Sequence, residues 1–140
     1  MEERKVEQVM VKNVRTINPE QSIGDVQRIF EDEGFRHLPV EEYGNLVGII
    51  SRTDLMRITF GAQISAGGED NVNDLIYEST SVGEVMTREL KTIEAGVSLS
   101  EAARIMIKYK VSALPVVENG LFAGLLTSSD IMQEYVDRFR

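Results

Sequence analysis

The feature that most constrains the fold of this chain is that it contains the same pattern twice. Met86 lies 76 residues after Met10, and that one offset aligns Val9–Met56 with Val85–Met132 without a gap. About a third of the aligned positions are identical, and most of the others keep their chemical character. The identities include Thr16 with Thr92, Ser22 with Ser98, Leu38-Pro39-Val40 with Leu114-Pro115-Val116, Gly48 with Gly124, and Asp54 with Asp130. A repeat of this period means that one supersecondary unit has been duplicated, and each copy is too small to bury its own apolar face well. The two copies are therefore expected to pack sheet against sheet.

Each copy reads as the same series of elements. Val14–Ile17 and Leu90–Ile93 alternate with period two, as short half-buried strands do. Ser22 precedes Asp25 by three residues and Ser98 precedes Glu101 by three, each the signature of a capping box at a helix start. Behind these starts run apolar stripes, Ile23, Val26 and Phe30 in the first copy and Leu99, Ala102, Ala103 and Met106 in the second. Gly34 reads as the helix stop. Two apolar runs follow around Tyr43-Gly44-Asn45, and two more around Asn119-Gly120, each reading as a hairpin. A last helix closes each copy, over Thr53–Phe60 and Ser129–Phe139. The pattern is β-α-β-β-α twice, a mixed α/β fold.

The boundaries follow. The first repeat with its N-terminal segment covers 1–60, a connector covers 61–80, and the second repeat covers 81–140. The connector is rich in Gly67, Gly68, Glu69, Asp70 and Asn71, with one helical turn near Val72–Tyr77, and reads as a mobile linker first and as a functional lid second. Ser81 with Glu84 restarts order as a small capped helix.

Composition narrows the function. At 140 residues with no cysteine, the chain has no thiol nucleophile, disulfide or thiolate zinc site to offer. Its net charge of −8 lacks the basic surplus that phosphate neutralisation demands of a nucleic-acid binder. No apolar stretch approaches the roughly 20 residues of a membrane span, and the N-terminus lacks a signal-peptide run. A cytoplasmic protein without nucleic-acid or membrane partners is expected. His37 is the only histidine, which suits a structural niche or a cleft wall better than a metal site. With no Ser–His pairing, no His-x-x-x-His helix and no Walker-type loop, an enzyme is not expected.

The segments that carry chemistry are Gly48-Ile-Ile-Ser51-Arg52-Thr53-Asp54 and Gly124-Leu-Leu-Thr127-Ser128-Ser-Asp130. Each brings a strand end directly to a helix start, where unsatisfied N–H groups and the helix dipole favour an anion. The Ser51 and Thr127 hydroxyls can add a hydrogen bond to a phosphate, and the Asp54 and Asp130 carboxylates suit the paired hydroxyls of a ribose. A second reading stands beside this one. Ser51-x-x-Asp54 and Thr127-x-x-Asp130 are themselves capping-box-like, so these groups can simply serve their own helix. The copies also differ, because Arg52 offers a forked donor to an anion where the second copy has Ser128. A phosphate-bearing ligand is therefore expected at the first copy before the second. Lys12 and Arg88, each two residues after the repeat's methionine, are either further phosphate contacts or solvated charges.

Val9-Met10 and Val85-Met86, the two Leu-Pro-Val runs, and the two Gly…Ser/Thr…Asp segments occur in this order in both copies. In that arrangement the chain resembles a pair of CBS domains, also called a Bateman module, over nearly its whole length. The resemblance implies two repeats related by a pseudo-twofold axis, with clefts that in this family often bind AMP, ADP, ATP or S-adenosylmethionine. It implies ligand contacts from Asp on ribose and Ser/Thr on phosphate. Thr16 and Thr92, with the backbone around His37-Leu38-Pro39 and Ala113-Leu114-Pro115, would border the adenine. No cofactor is required in such a module; the nucleotide is a regulatory ligand. It further implies a regulatory rather than catalytic role and a homodimer, and, with no fused effector domain expected, action on an effector protein in trans or action by itself. The alternative is an interaction scaffold whose clefts are degenerate and empty.

Overall fold

A computed structural model describes residues 2–65 and 72–139. The chain forms two small sheets and seven helices among these residues. In order they are α1 (Val6–Val9), α2 (Ile23–Glu33), β1 (His37–Glu42), β2 (Asn45–Ser51), α3 (Arg52–Ser65), α4 (Val72–Ser79), α5 (Val82–Val85), β3 (Ile93–Glu94), α6 (Leu99–Tyr109), β4 (Ala113–Glu118), β5 (Leu121–Thr127) and α7 (Ser128–Arg138). The expected α/β class and the repeated order are both present. The Gly67–Asn71 heart of the connector lies outside the described residues, but its flanks are helical. α3 runs on to Ser65, and α4 packs on α2, with the Tyr77 carbonyl 3.0 Å from where a Cβ on Gly24 would stand.

The hairpins follow their turn chemistry. Tyr43-Gly44 and Asn119-Gly120 all have positive φ, the conformation of a two-residue type I′ turn. Both hairpins carry a register shift at the same place, between Val40 and Glu41 and between Val116 and Val117. α2 starts as expected, with Ser22 and Asp25 capping each other's backbone N–H at 3.2 Å, and stops at Gly34 with φ 73°. α6 differs at both ends. Ser98 accepts from the Glu101 amide, but the Glu101 carboxylate turns to Arg104 at 3.1 Å instead of closing the box. Its stop is Lys110 in the left-handed region.

The compact units do not follow the repeat boundaries. One unit is residues 15–89; the other combines 1–14 with 90–140. Each hairpin is also bridged on its second strand by the lead-in of the opposite copy. Val11 and Leu125 exchange two backbone hydrogen bonds at 2.9 and 3.0 Å, and Ile49 and Thr87 do the same at 3.0 and 2.9 Å. This crossing corrects the strands expected at Val14–Ile17 and Leu90–Ile93. The chain changes unit at 14/15, inside the first of these segments, and at 89/90, just before the second. Pairing begins only at their ends, as a parallel bridge from Ile17 to Val40 and as the two-residue β3 beside β4.

Each unit buries its own core. In 15–89 this includes Ile17, Ile23, Val26, Phe30, Leu38, Ile50 and Leu55, with Val82 and Met86 from the lead-in to the second copy. The other includes Leu99, Met106, Leu114, Val116 and Leu126, with Val6 and Met10 from the lead-in to the first. The methionines Met10, Met86 and Met106 fill core space as expected. Met56 and Met132 do not: they are 63% and 60% exposed.

Candidate functional site

In the unit of residues 15–89, β2 ends at Ser51 and α3 begins at Arg52 with no intervening loop. The Ser51 Oγ accepts from the Asp54 amide at 3.1 Å, while Asp54 Oδ2 accepts from the Ser51 amide at 3.0 Å. The other unit repeats this at the start of α7, with 3.2 Å from the Asp130 amide to Thr127 Oγ1 and 2.9 Å from the Thr127 amide to Asp130 Oδ2. The capping reading is thus realised in both copies. It does not exhaust the groups. A hydroxyl that accepts one N–H retains its own O–H to donate, and a carboxylate has a second oxygen. Asp54 Oδ1 stands 3.8 Å from Arg57 Nη1, and the carboxylate also acts on His37. The first helical amides are placed alike, with Arg52 N donating to the Arg36 carbonyl and Ser128 N to the Ser112 carbonyl, both at 2.9 Å.

The bordering residues fall in register. His37 pairs with Ser51 across the β1–β2 ladder, and Ala113 pairs with Thr127 across β4–β5. Leu38 and Leu114 are wholly buried in their cores, so a ligand could meet only their backbone. The Pro39 carbonyl accepts from the Ile17 amide at 3.1 Å, which brings Thr16 alongside the Leu38-Pro39-Val40 stretch; Pro115 pairs with Leu125. Thr16 Oγ1 donates to Glu41 at 3.4 Å, whereas Thr92 is exposed. Thr53 and Ser128 stand in the first turns of α3 and α7.

The cations are placed differently from the sequence expectation. Arg52 Nη2 donates to the Phe30 carbonyl at 2.9 Å, and its guanidinium lies 5.9 Å from the Phe30 ring centroid. It therefore closes the C-terminal end of α2, and contact with an anion would require exchanging that bond. Arg88 Nη2 donates to the Gly83 carbonyl at 2.7 Å. Lys12 is exposed and lines an open cavity of about 630 Å³ with Arg4, Glu7, Gln8, Met10, Glu118 and Ala123. The chain crossing puts Lys12 in the unit of Thr127 and Arg88 in the unit of Ser51.

Burial holds the His37 imidazole below its ordinary 6.5; the Asp54 carboxylate opposes this and Arg36 reinforces it. Near neutral pH His37 is a neutral ring beside the motif. Among the described residues no group of three or more His, Asp or Glu could hold a metal, no polar side chain is buried, and no helix is long and apolar enough to cross a membrane.

Sequence reasoning missed the exchange of lead-ins. The signal was present in Gly48 and Gly124, since a glycine inside a strand marks the close approach of another backbone. A Cβ on Gly48 would stand 2.5 Å from Met86 Sδ, and one on Gly124 2.5 Å from the Val11 carbonyl oxygen.

The CBS domain family model matches residues 6–61 and 82–137, one match to each copy of the repeat. The chain belongs to the CBS-domain family. Protein MJ1404 of Methanocaldococcus jannaschii is 30% identical over 98% of this CBS pair, which spans 33% of that relative's length. A protein named for acetoin utilization (AcuB) from Vibrio cholerae has a crystal structure that superposes with a TM-score of 0.80. It is 28% identical, with 99% of this chain and 94% of that one covered. The CBS domain pair of protein MJ0100, solved in complex with 5-methylthioadenosine and S-adenosyl-L-methionine, superposes with a TM-score of 0.78. It is 25% identical over 98% of this chain and 99% of that one.

Proposed function

We propose that this CBS pair is a regulatory sensor that binds an adenosine-containing ligand, AMP, ADP, ATP or S-adenosylmethionine, at its strand-to-helix motifs. The observation that carries the reading is the duplicated Ser51–Asp54 and Thr127–Asp130 geometry. The reciprocal caps fix a hydroxyl donor and a carboxylate acceptor at a helix start in both copies, so the groups are pre-organised rather than consumed. Asp54 and Asp130 take the ribose hydroxyls, Ser51 and Thr127 the phosphate or its counterpart. Thr16 and Thr92, with the backbone at His37-Leu38-Pro39 and Ala113-Leu114-Pro115, border the base. The MJ0100 pair, with its methylthioadenosine and S-adenosylmethionine, supports this ligand class.

The ligand acts by preferring one of two states, and the response is a change of shape or assembly passed to an effector protein in trans. The module works in the cytoplasm as a homodimer. Both closing helices support self-association by showing apolar side chains at repeat-equivalent positions, Met56 and Phe60 on α3 and Met132 and Val136 on α7, all more than half exposed.

The test is thermal unfolding of wild type, Asp54→Ala and Asp130→Ala against AMP, ADP, ATP, GTP and S-adenosylmethionine. A ligand at about 100 times its Kd adds roughly 2.7 kcal/mol to the native state. An adenosine ligand is expected to raise the wild-type Tm by several degrees and to raise that of at least one variant less. Equal shifts in all three proteins would remove the motifs from the site.

A further inference from the structure

The two copies differ in what covers the groove between their helices. In residues 15–89, α4 packs on both α2 and α3, with Ile76 and Tyr77 against the core. The approach is close, since the Tyr77 carbonyl oxygen lies 3.0 Å from the place of a Cβ on Gly24. The chain then leaves α4 through contacts that the second copy repeats residue for residue. The Ile23 amide donates to the Thr80 carbonyl at 3.0 Å, and the Leu99 amide to the Arg4 carbonyl at 3.1 Å. Ser22 bridges Ser81 as Ser98 bridges Lys5. The offset of 76 thus carries Thr80 onto Arg4 and Ser79 onto Glu3, but it carries Val72–Ile76 to positions before Met1. Nothing within residues 1–140 repeats α4.

The uncovered counterpart is a cavity of about 310 Å³ between α6 and α7. Leu99, Ala103 and Ile131 line it together with Tyr135 and Phe139, which are 66% and 70% exposed. The charged groups around it are already engaged. Arg4 pairs with Glu134 at 3.4 Å, Glu3 accepts from the Ser100 amide at 2.5 Å, and Arg138 donates to the Glu2 carbonyl at 2.8 Å. What the cavity offers an occupant is therefore apolar. Met132 and Val136 do not line it. We infer that this groove docks an amphipathic helix of a partner protein, one that presents an aliphatic and an aromatic side chain as α4 presents Ile76 and Tyr77. The duplication supplies the reason for a helix, because the equivalent pair of helices in the other copy receives one. Ser100 stands where the first copy has Gly24, so its Cβ holds the incoming backbone further off. Side-chain contact with Tyr135 and Phe139 replaces that close backbone approach. The inference rests on the reading that the module acts on an effector protein in trans, and it names the effector's docking element.

The probe is a synthetic peptide of residues 71–80 with blocked ends, titrated into the isotope-labelled full chain and followed by backbone amide chemical shifts. The expected result is saturable shifts centred on Leu99, Ala103, Ile131 and Tyr135. Affinity should fall at least about tenfold in Tyr135→Ala, and again with a peptide carrying Ile76→Ser and Tyr77→Ser, as truncation of an anchoring side chain does. Tyr135 is exposed, so the variant is expected to fold, as circular dichroism would verify. No saturable shift at millimolar peptide, or equal affinity in Tyr135→Ala, would overturn the inference. Shifts centred on α2 and α3 would overturn it too, since they would mean that the peptide merely displaces the chain's own α4. Sedimentation velocity covers the remaining occupant: a dimer that Tyr135→Ala converts to monomer would assign the groove to a second copy and overturn the partner helix. Titration of the same samples with an adenosine ligand reads the sensor function separately, so a failure of the groove alone leaves that reading standing.

Discussion

His37 and Ser51 face each other across the β1–β2 ladder, and Ala113 holds the corresponding place opposite Thr127. The two motifs therefore share their caps and differ in what stands beside them. Only the first has an ionisable ring there, and burial depresses its basicity against the pull of Asp54. In the unfolded chain His37 takes up a proton near its ordinary 6.5; in the folded chain it does so only at lower pH. Between those values the unfolded state holds more protons, so stability rises with pH through that window. The contribution is complete above about 6.5 and is lost as pH falls toward the folded value. Urea midpoints between pH 5 and 8 should show this slope in wild type and lose it in His37→Gln. A His37→Gln profile parallel to wild type would assign the slope to other groups.

The caps make a separate forecast about stability. Ser51→Ala and Thr127→Ala each remove the acceptor of a first-turn amide, at a cost of about 1 kcal/mol. Denaturant unfolding is the measurement, and the two costs should agree because the geometries do. A loss of much less than half that value in either variant would mean that water caps the helix equally well.

The glycines separate two kinds of obstacle. Gly48→Ala pushes a methyl group against Met86 Sδ, the end of a flexible side chain, although the Thr87 carbonyl oxygen is also 3.0 Å away. Gly124→Ala pushes it against the Val11 carbonyl oxygen at 2.5 Å, which is backbone held by two hydrogen bonds to Leu125. Overpacking of this kind costs about 1–3 kcal/mol, and Gly124→Ala should lie at or above the upper end with Gly48→Ala below it. Chemical denaturation of the two variants gives the order, and a reversed order would contradict the described lead-in packing.

Exchange of the lead-ins has a consequence for distant residues. Met10 opens the first copy in sequence but is buried with Leu114, Val116 and Leu126 of the second. Met10→Ala should cost about 2–5 kcal/mol, as deletion from a core does. Hydrogen exchange should quicken first at Val11 and Leu125, whose amides bridge the lead-in to β5. Faster exchange confined to β1 and β2 would show that Met10 serves its own copy.

Local signals in the sequence were good guides to local structure. The Asn119-Gly120 turn, the Ser22 cap and the Gly34 stop depend on a few neighbouring residues, and each appears where those residues put it. Non-local pairing was less legible. Nothing in the periodicity of Val9–Lys12 says that Val11 pairs with a strand more than a hundred residues later, and the glycines that record the approach also suit a bulge or a bend. Arg52 shows the same limit at the site. Its charge suggested an anion, but the Phe30 carbonyl at the end of α2 lies within its reach, and a pattern on α3 cannot reveal that. The shared hydroxyl and carboxylate positions were legible because duplication printed them twice.

The most direct test of sensing is isothermal titration of the purified protein with S-adenosylmethionine and with AMP, alongside Asp54→Ala and Asp130→Ala. The expected result is saturable binding of at least one ligand at no more than two sites per chain, with affinity weakened by at least one of the two substitutions. The absence of binding to wild type at millimolar ligand would contradict the sensor reading and leave the CBS pair as an interaction scaffold.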